Sequence, residues 1–256
     1  MSHPLVRDEE VTTSGDLTLC VRDLDVTYRV YEDRGLRARE LVSTGFRPRR
    51  FRHIQAVRGV CLEARAGDSV GVIGANGSGK STLLRAIAGL MPPTSGRVLA
   101  SERPLLLGVH AALKPALSGH RNVLLGCLAL GMDRRAAERE APSVLAFAGL
   151  EAQADLPMRS YSAGMRARLH FAIATAVMPQ ILLLDEALAV GDRAFRKKSV
   201  ARIEQLRRQA GTIVLVSHSM EEIRKSCNRV VWLDDGLVQA DGAVEAVISQ
   251  YEDATK

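Results

Sequence analysis

The stretch "SVGVIGANGSGKSTLLRAIAGL", Ser69 to Leu90, contains the features that decide the fold. It opens with a short apolar run, continues through a glycine-rich turn, and ends in a segment whose leucines and isoleucine recur at helical spacing. The turn, "GANGSGKS" from Gly74 to Ser81, fits the pattern GxxxxGK[ST] and has a strand pattern before it and a helix pattern after it. This context predicts a loop that binds phosphate groups. It disfavours the alternative, a glycine turn that Lys and Ser follow by chance.

The residue types in this turn suit a nucleotide phosphate. Glycines let backbone N–H groups converge on phosphate oxygens, and the positive end of the following helix points at the same anion. Lys80 would reach the β- and γ-phosphates, and the Ser81 hydroxyl would ligate Mg²⁺. The residues predicted to bind nucleotide here are Gly74, Ala75, Asn76, Gly77, Ser78, Gly79, Lys80, Ser81 and Thr82.

Two further strand ends carry candidate catalytic residues. In "ILLLDE" four apolar residues predict a buried strand, and Asp185 leaves its carboxyl end, where open α/β sheets bind ligands. We expect Asp185 to hold Mg²⁺ and Glu186 to act as the general base on the attacking water. The alternative for Glu186 is a carboxylate stabilised by a helix start. In "VLVSHS", His218 follows another strand, either as a structural histidine or as a contact to the γ-phosphate.

Composition limits the class of protein. The chain has 256 residues, of which 46% are apolar and 4% aromatic, and a net charge of +6. The low aromatic content argues against stacking on single-stranded nucleic acid. Four cysteines without a CxxC pair indicate core thiols in a reducing compartment, not a zinc site or a disulfide framework. No apolar run reaches membrane-spanning length and the N-terminus lacks signal-peptide character, which predicts a cytosolic protein, peripheral to a membrane at most.

The positive charge is concentrated between Arg34 and Arg52, where Glu40 alone opposes a run of arginines. Such a run suits an anionic surface such as lipid headgroups, nucleic acid or a polyanionic substrate. It is equally compatible with a solvated loop.

Strand and helix patterns alternate on both sides of a mostly helical block, which predicts a parallel-sheet α/β core with a helical insertion. Four divisions follow. Residues 1–104 form a β subdomain and the phosphate-loop part of the core, and 105–178 the helical subdomain. Residues 179–240 form the second part of the core, and 241–256 a C-terminal helix.

The stretch "RSYSAGMRARLHFAIA", Arg159 to Ala174, combines a Ser-x-Gly turn with a helix pattern. Phosphate loop, helical insertion, Ser-x-Gly turn, carboxylate strand and strand-end histidine, in that order, resemble the nucleotide-binding subunit of ATP-binding-cassette (ABC) transporters. The resemblance runs from about Leu17 to Tyr251. It implies a P-loop NTPase core with a mostly parallel sheet, an antiparallel β subdomain and a helical subdomain. It also implies an ATPase that uses ATP and Mg²⁺.

The resemblance further implies a head-to-tail homodimer that encloses two ATP molecules. The family turn reads LSGGQ and here reads "YSAGM", so Ser162, Ala163 and Gly164 would contact the ATP of the partner subunit, which donors at a helix N-terminus can do. A capping role for Ser162 is compatible with this.

Other family positions map onto this sequence through the same resemblance. Tyr28, or Tyr31 near it, looks like the aromatic that stacks on adenine, the alternative being an ordinary strand tyrosine. "ALAVGD", which ends at Asp192, looks like the loop that links the two ATP sites. The glutamine that the family places ahead of "KPALSGHRN" is missing, and Val109 or a close neighbour occupies that place.

The long basic insertion, the signature "YSAGMRARL", the run "DEALAVGDRAFRKK" and the ending "VISQYED" resemble ATPases that export O-antigen, capsule or teichoic acid. We therefore expect two copies of the chain at the cytoplasmic face of the membrane, with two copies of a separate permease and a lipid-linked glycan as substrate. Import or drug efflux is an alternative. A nucleic-acid-associated ABC ATPase is a weaker one, so no nucleic-acid partner is expected.

Overall fold

The computed structural model describes residues 16–31, 51–108, 113–185 and 192–255. Most of the arginine-rich insertion, Val109 and Glu186 lie outside these residues. The strands are β1 (Leu17–Tyr31), β2 (Phe51–Arg65), β3 (Ser69–Ile73), β4 (Ser95–Ala100), β5 (Leu105–Leu107), β6 (Ile181–Asp185), β7 (Thr212–Val216), β8 (Arg229–Asp234) and β9 (Leu237–Gly242). The α-helices are α1 (Lys80–Ile87), α2 (Gly119–Ala129), α3 (Arg134–Ala148), α4 (Ala163–Ala174), α5 (Arg193–Gln209), α6 (Met220–Ser226) and α7 (Val244–Ala254).

Six strands form the central sheet in the order β5-β6-β7-β3-β8-β9. The strands from β5 to β8 are mutually parallel, and β9 pairs antiparallel with β8. Because parallel strands are covered on both faces, they appear as continuous apolar runs, and the first four residues of β6 are all buried. The mostly parallel sheet predicted from the sequence is confirmed.

A second sheet of three antiparallel strands has the order β2-β1-β4. Strands β1 and β2 pair along their whole length, from Leu17 opposite Arg65 to Tyr31 opposite Phe51. The inner face of this sheet shares one apolar core with α1 and the central sheet, through residues such as Leu24, Val57 and Leu83. The predicted antiparallel β subdomain is therefore present, and its far end, residues 51–55, is exposed.

Helices α2, α3 and α4 have an apolar core of their own, which includes Val123, Val144 and Leu169. Asn122 is fully buried at its edge. Its side-chain amide donates to three carbonyls and its oxygen accepts from the Lys114 amide, so every polar atom of this side chain is satisfied. The predicted helical insertion is thus a separately packed unit.

One stretch differs from the structure that the sequence predicts. The helical block was expected to start at about Leu105, but Leu105–Leu107 forms strand β5 and pairs in parallel with β6. Three consecutive leucines carry no periodicity that separates strand from helix, and the pairing with β6 decides the outcome. The division of the chain into subdomains otherwise remains a prediction.

The last helix returns to the central sheet. The ring of Tyr251 on α7 lies 5.6 Å from that of Trp232 on β8, in an edge-on arrangement. Trp232 pairs with Ile73, the residue that precedes the phosphate loop. The C-terminal helix is therefore packed against the strand that neighbours this loop.

Within the described ranges, no helix has the length and apolar character needed to cross a membrane. The same residues contain no cluster of His, Cys, Asp and Glu side chains suited to a metal ion. The four cysteines are free thiols, and Cys61 is exposed because it alternates outward on β2, so the expectation of core thiols fails there.

Candidate functional site

The glycine-rich turn between β3 and α1 is held by close packing against neighbouring strands. Gly74 and Gly79 have φ angles of 145° and 103°, which side chains rarely allow. A Cβ atom on Gly74 would lie 2.0 Å from the Leu233 carbonyl oxygen, and one on Gly79 would lie 2.1 Å from the Ala56 carbonyl oxygen. The fold of this chain therefore requires glycine at both positions.

Lys80 is buried in the loop, with 6% of its surface exposed. Its Nζ donates to the carbonyl oxygens of Gly74 at 2.8 Å and Ala75 at 2.7 Å, and lies 3.5 Å from the Ser78 hydroxyl. A buried ammonium group needs such acceptors. Helix α1 begins at Lys80 without a side-chain cap, because its N-cap residue is Gly79. The loop thus places a positive charge at a helix N-terminus, which is a favourable place for an anion.

Two strand ends of the central sheet meet this loop. Asp185 is the last residue of β6 and pairs with Val216 of β7, two residues before His218. Together they border a cleft of about 210 Å³. Its lining residues are Ala56, Asn76, Gly77, Gly79, Lys80, Ser81, Thr82, Asp185, Val216 and His218. The structure therefore brings most of the predicted phosphate, Mg²⁺ and γ-phosphate contacts into one cleft, whereas Glu186 lies outside the described residues.

Tyr28 reaches the same region from the antiparallel sheet. Its hydroxyl lies 3.1 Å from the Thr82 hydroxyl, near the start of α1. Ile54 lies directly opposite Tyr28 on β2, and both Ile54 and Val30 are partly exposed on that face. These two apolar side chains therefore share a face of the sheet with Tyr28. Sequence patterns do not single out Ile54 and Val30, because the two residues lie on different strands and come together only when β1 pairs with β2.

The turn formed by residues 161–165, called the signature turn below, is the start of helix α4. Ser162 is the N-cap of α4, and its Oγ accepts from the Met165 amide at 3.1 Å. Tyr161 anchors the turn, because its buried hydroxyl donates to the Gln153 carbonyl at 2.6 Å. The described lining of the 210 Å³ cleft contains none of Ser162, Ala163 and Gly164. This subunit therefore does not bring its signature turn to its own phosphate loop.

Helix α4, which follows the signature turn, is joined to α5 of the core. The rings of Phe147, Phe171 and Phe195 lie 5.6–6.2 Å from one another. Arg202 of α5 donates two hydrogen bonds to the Thr175 carbonyl at the end of α4. These contacts connect the helical block to α5 of the core.

Asp192 caps the start of α5. Its carboxylate accepts from the Phe195 amide at 2.9 Å. Hydrogen bonds from the backbone amides of Phe195 and Ala194, with the nearby charge of Arg168 on α4, hold the pKa of this carboxyl below its usual value. Asp192 is therefore fixed on the α4 side of the core.

Comparison with solved structures identifies the fold. The chain superimposes on a dimeric post-hydrolysis state of the ATP-binding cassette MJ0796 bound to ADP and Pi, with a TM-score of 0.62, 23% identity, and coverage of 88% of this chain and 98% of that one. An ATP-binding subunit of an ABC transporter gives a TM-score of 0.64 at 23% identity, over 92% of this chain and 93% of that one. The fold is that of an ATP-binding cassette.

Sequence comparison identifies the family. The profile of the ABC transporter family matches residues 57–189, about half of the chain. The teichoic acids export ATP-binding protein TagH of Listeria innocua is 33% identical over 243 residues, 94% of this chain and 71% of that protein. The chain belongs to the ABC transporter family.

Two further relatives share the family and differ in length. The O-antigen export system ATP-binding protein RfbB of Myxococcus xanthus is 43% identical over 202 residues, 78% of this chain and 46% of that protein. The TagH protein of Shouchella clausii is 39% identical over 202 residues, 79% of this chain and 56% of that protein. The chain thus spans about half the length of these two relatives.

Proposed function

We propose that this chain is the ATP-hydrolysing subunit of an exporter that carries a lipid-linked surface polysaccharide or polyol-phosphate polymer across the membrane. The observation that supports ATP hydrolysis is the single cleft bordered by the phosphate loop, Lys80, Asp185 and His218. The names of the relatives, which refer to O-antigen and teichoic acid export, support the substrate class.

In this proposal each residue of the cleft has one task. Lys80 exchanges its loop carbonyl partners for the β- and γ-phosphates, and the amides of the loop and of α1 bind phosphate oxygens. Glu186, assigned from the sequence, accepts a proton from the attacking water, and His218 contacts the γ-phosphate. Tyr28, with Ile54 beside it, supports the base.

The donors available near Lys80 fit Mg²⁺. The Ser81 hydroxyl and the Asp185 carboxylate both line the cleft, and both offer the hard oxygen atoms that this ion prefers. Mg²⁺ bound by them would neutralise charge that develops on the phosphate oxygens.

The signature turn acts on the ATP of a second subunit. Ser162, Ala163 and Gly164 lie apart from the cleft of their own chain, and a Cβ atom on Gly164 would make only an ordinary contact with the Ser162 hydroxyl. A head-to-tail homodimer would supply the missing donors to each γ-phosphate, as trans groups do in other phosphoryl-transfer sites. Asp192 would lie at the loop that joins the two sites.

Glu186→Gln tests the hydrolytic assignment. Glutamine keeps the shape but cannot accept the proton, so we expect ATP to be bound in a stable dimer with turnover reduced at least about 100-fold. The measurement is ATP turnover alongside size-exclusion chromatography with ATP. Normal turnover would refute the general-base role.

Ser162→Arg tests the arrangement of the dimer. Arginine at the turn leaves the subunit's own cleft intact, so ATP binding is retained while ATP-dependent dimer formation is lost. Ser118→Arg, at the N-cap of α2, is the matched control. A Ser162→Arg variant that dimerises with ATP like the wild type would exclude the turn from the interface.

Transport requires a membrane partner. We propose two copies of this chain and two of a separate permease, with this chain at the cytoplasmic face of the membrane. Co-purification with the permease and ATP-dependent movement of a lipid-linked glycan in vesicles would test this, and movement of a different cargo would redirect the substrate assignment.

The arginine-rich insertion is proposed to contact anionic headgroups or a phosphate-bearing glycan. Arg52, at its edge, is exposed at the far end of β2. Neutralising Arg47, Arg49, Arg50 and Arg52 should lower membrane association or transport while ATP binding is unchanged. Neutralising four exposed charges on α5, Arg193, Arg196, Lys197 and Lys198, is the control of equal charge. Unchanged export in the insertion variant would refute the idea.

A further inference from the structure

The turn that presents His218 is held by the residues on either side of it. Ser217 is buried, with 3% of its surface exposed. Ser219 is the N-cap of α6, and its hydroxyl accepts from the Glu222 amide at 3.2 Å. His218 stands between these two serines at the mouth of the nucleotide cleft.

The carboxylate of Glu222 completes this turn in an unusual way. In an ordinary capping box, the glutamate three residues after the N-cap reaches back to the N-cap amide. Here the Ser219 amide donates to the Ser217 hydroxyl at 3.1 Å, and that hydroxyl donates to Glu222 Oε2 at 2.9 Å. The box is closed through Ser217, so one carboxylate constrains the backbone on both sides of His218.

Arg207 of α5 orients this carboxylate. Its guanidinium lies 3.3 Å from Glu222 Oε1 and 3.3 Å from Glu204 Oε1, and 16% of its side chain is exposed. The side chain of Glu222 is 42% exposed, so solvent screens this ion pair in part, and its contribution is mainly to orient the carboxylate. The second oxygen of Glu222 is therefore fixed from a different helix.

The ion pairs of Arg207 with Glu204 and Glu222 form a charged network close to Asp185, at the end of β6. Glu204, Arg207 and Glu222 border a second cavity of about 200 Å³, which also reaches Asp185. Asp185 thus lies between the nucleotide cleft and this charged cavity. A change in this network would alter the surroundings of Asp185 and of the turn at His218, whereas none of its residues lies in the phosphate loop.

From this geometry we propose that Glu222, supported by Arg207, is a positioning residue for His218. The inference rests on the proposed role of His218 at the γ-phosphate. Without the carboxylate, the Ser217 hydroxyl loses its acceptor and the three-residue turn relaxes. Displacement of a reacting group by about 1 Å can lower a rate about 100-fold, whereas ground-state binding through the loop is unaffected.

The experiment compares Glu222→Ala with Glu221→Ala in the purified full-length chain, by nucleotide titration and by ATP turnover. Glu221 is the exposed neighbour on the same turn of α6 and is the matched control. We expect Glu222→Ala to bind ATP within about twofold of the wild type and to lose about tenfold or more in kcat. Glu221→Ala should match the wild type, and Glu222→Gln, which keeps an acceptor for Ser217, should be intermediate.

A double variant separates positioning from simple stability. If Glu222 acts through His218, adding Glu222→Ala to His218→Ala lowers kcat no further. Equal contributions in both backgrounds, or unchanged turnover in Glu222→Ala, would overturn the inference. If Glu222→Ala does not fold, as judged by circular dichroism, Ser217→Ala takes its place with the same expectations.

Two different results separate the role of His218 from the positioning role of Glu222. Full turnover in His218→Ala would overturn the role of His218 and, with it, the positioning role of Glu222. Loss of turnover in His218→Ala with none in Glu222→Ala would overturn the positioning role alone.

Discussion

The phosphate loop and the signature turn are both helix starts rich in small residues, but their glycines have different surroundings. In the phosphate loop, side chains on Gly74 and Gly79 would collide with backbone carbonyls at 2.0 and 2.1 Å. In the signature turn, a Cβ on Gly164 would meet only the Ser162 hydroxyl, at 3.9 Å, which is an ordinary contact.

This difference shows which residues the subunit needs for itself. The glycines of the loop are required by the interior of this chain, and Lys80 is held there by carbonyl groups. Nothing in the described interior requires glycine at position 164, where alanine would favour the helix. The reason for Gly164 is therefore expected outside the subunit, where a ligand or a second chain approaches.

The largest expected effect is on nucleotide affinity at the loop. Lys80→Ala removes the only ammonium group placed by the described loop, and we expect ATP affinity to fall at least about 100-fold, or about 3 kcal/mol. Isothermal titration with Mg-ATP measures this. Arg85→Ala, exposed on the same helix, should bind like the wild type, and affinity retained in Lys80→Ala would contradict the phosphate assignment.

A pair of glycine substitutions tests the comparison directly. Gly79→Ala meets a backbone carbonyl and a positive φ angle, so we expect a loss of about 2–4 kcal/mol in the free energy of unfolding. Gly164→Ala should leave stability unchanged or raise it by up to about 1 kcal/mol, because it lies in the first turn of α4. Urea unfolding measures both.

Gly164→Ala should nevertheless lower ATP turnover, because the added methyl group stands where the partner's phosphate would approach. Wild-type turnover in a dimeric, ATP-bound Gly164→Ala variant would place the reason for this glycine elsewhere.

A pair of serine substitutions gives a smaller effect. Ser162 and Ser118 cap their helices in the same way, with hydroxyl-to-amide distances of 3.1 and 3.3 Å. Replacing either by alanine should lower the free energy of unfolding by about 1 kcal/mol. Only Ser162→Ala should also weaken the ATP-dependent dimer, as seen by light scattering. Equal loss of dimer in both variants would assign the effect to helix stability.

The smallest expected effect is on the reactivity of buried cysteine thiols in the helical block and beside the central sheet. Burial raises the pKa of Cys127, in the helical block, and of Cys227, beside the central sheet, to about 11. At pH 8 only about one thiol in a thousand is then ionised, so both should resist iodoacetamide while the exposed Cys61 reacts. Labelling followed by mass spectrometry checks this. Rapid labelling of Cys127 or Cys227 would mean that its half of the subunit opens.

The sequence predicted the features that are local in the chain. The loop pattern, the buried strand that ends at Asp185 and the turn at Ser162 each depend on neighbouring residues, so short stretches of sequence predict them. Strand β5 was missed because three leucines become a strand only by pairing with β6, which lies more than seventy residues away.

The sequence predicts the residues of the candidate site better than it predicts the contacts that hold them in place. The Ser219-x-x-Glu222 spacing signals a capping box, but insertion of the Ser217 hydroxyl into it depends on a side-chain geometry that no pattern encodes. The contact of Arg207 with Glu222 joins two helices, and the cluster of Phe147, Phe171 and Phe195 joins three. Such contacts follow from tertiary packing.

The ring pair that joins Trp232 to Tyr251 has a practical consequence. The chain contains one tryptophan, so its intrinsic fluorescence reports from one known place. That place is one strand away from Ile73, at the entrance to the phosphate loop, and under the C-terminal helix. The protein therefore carries a built-in optical reporter, which allows its response to nucleotide to be followed in real time without an attached dye.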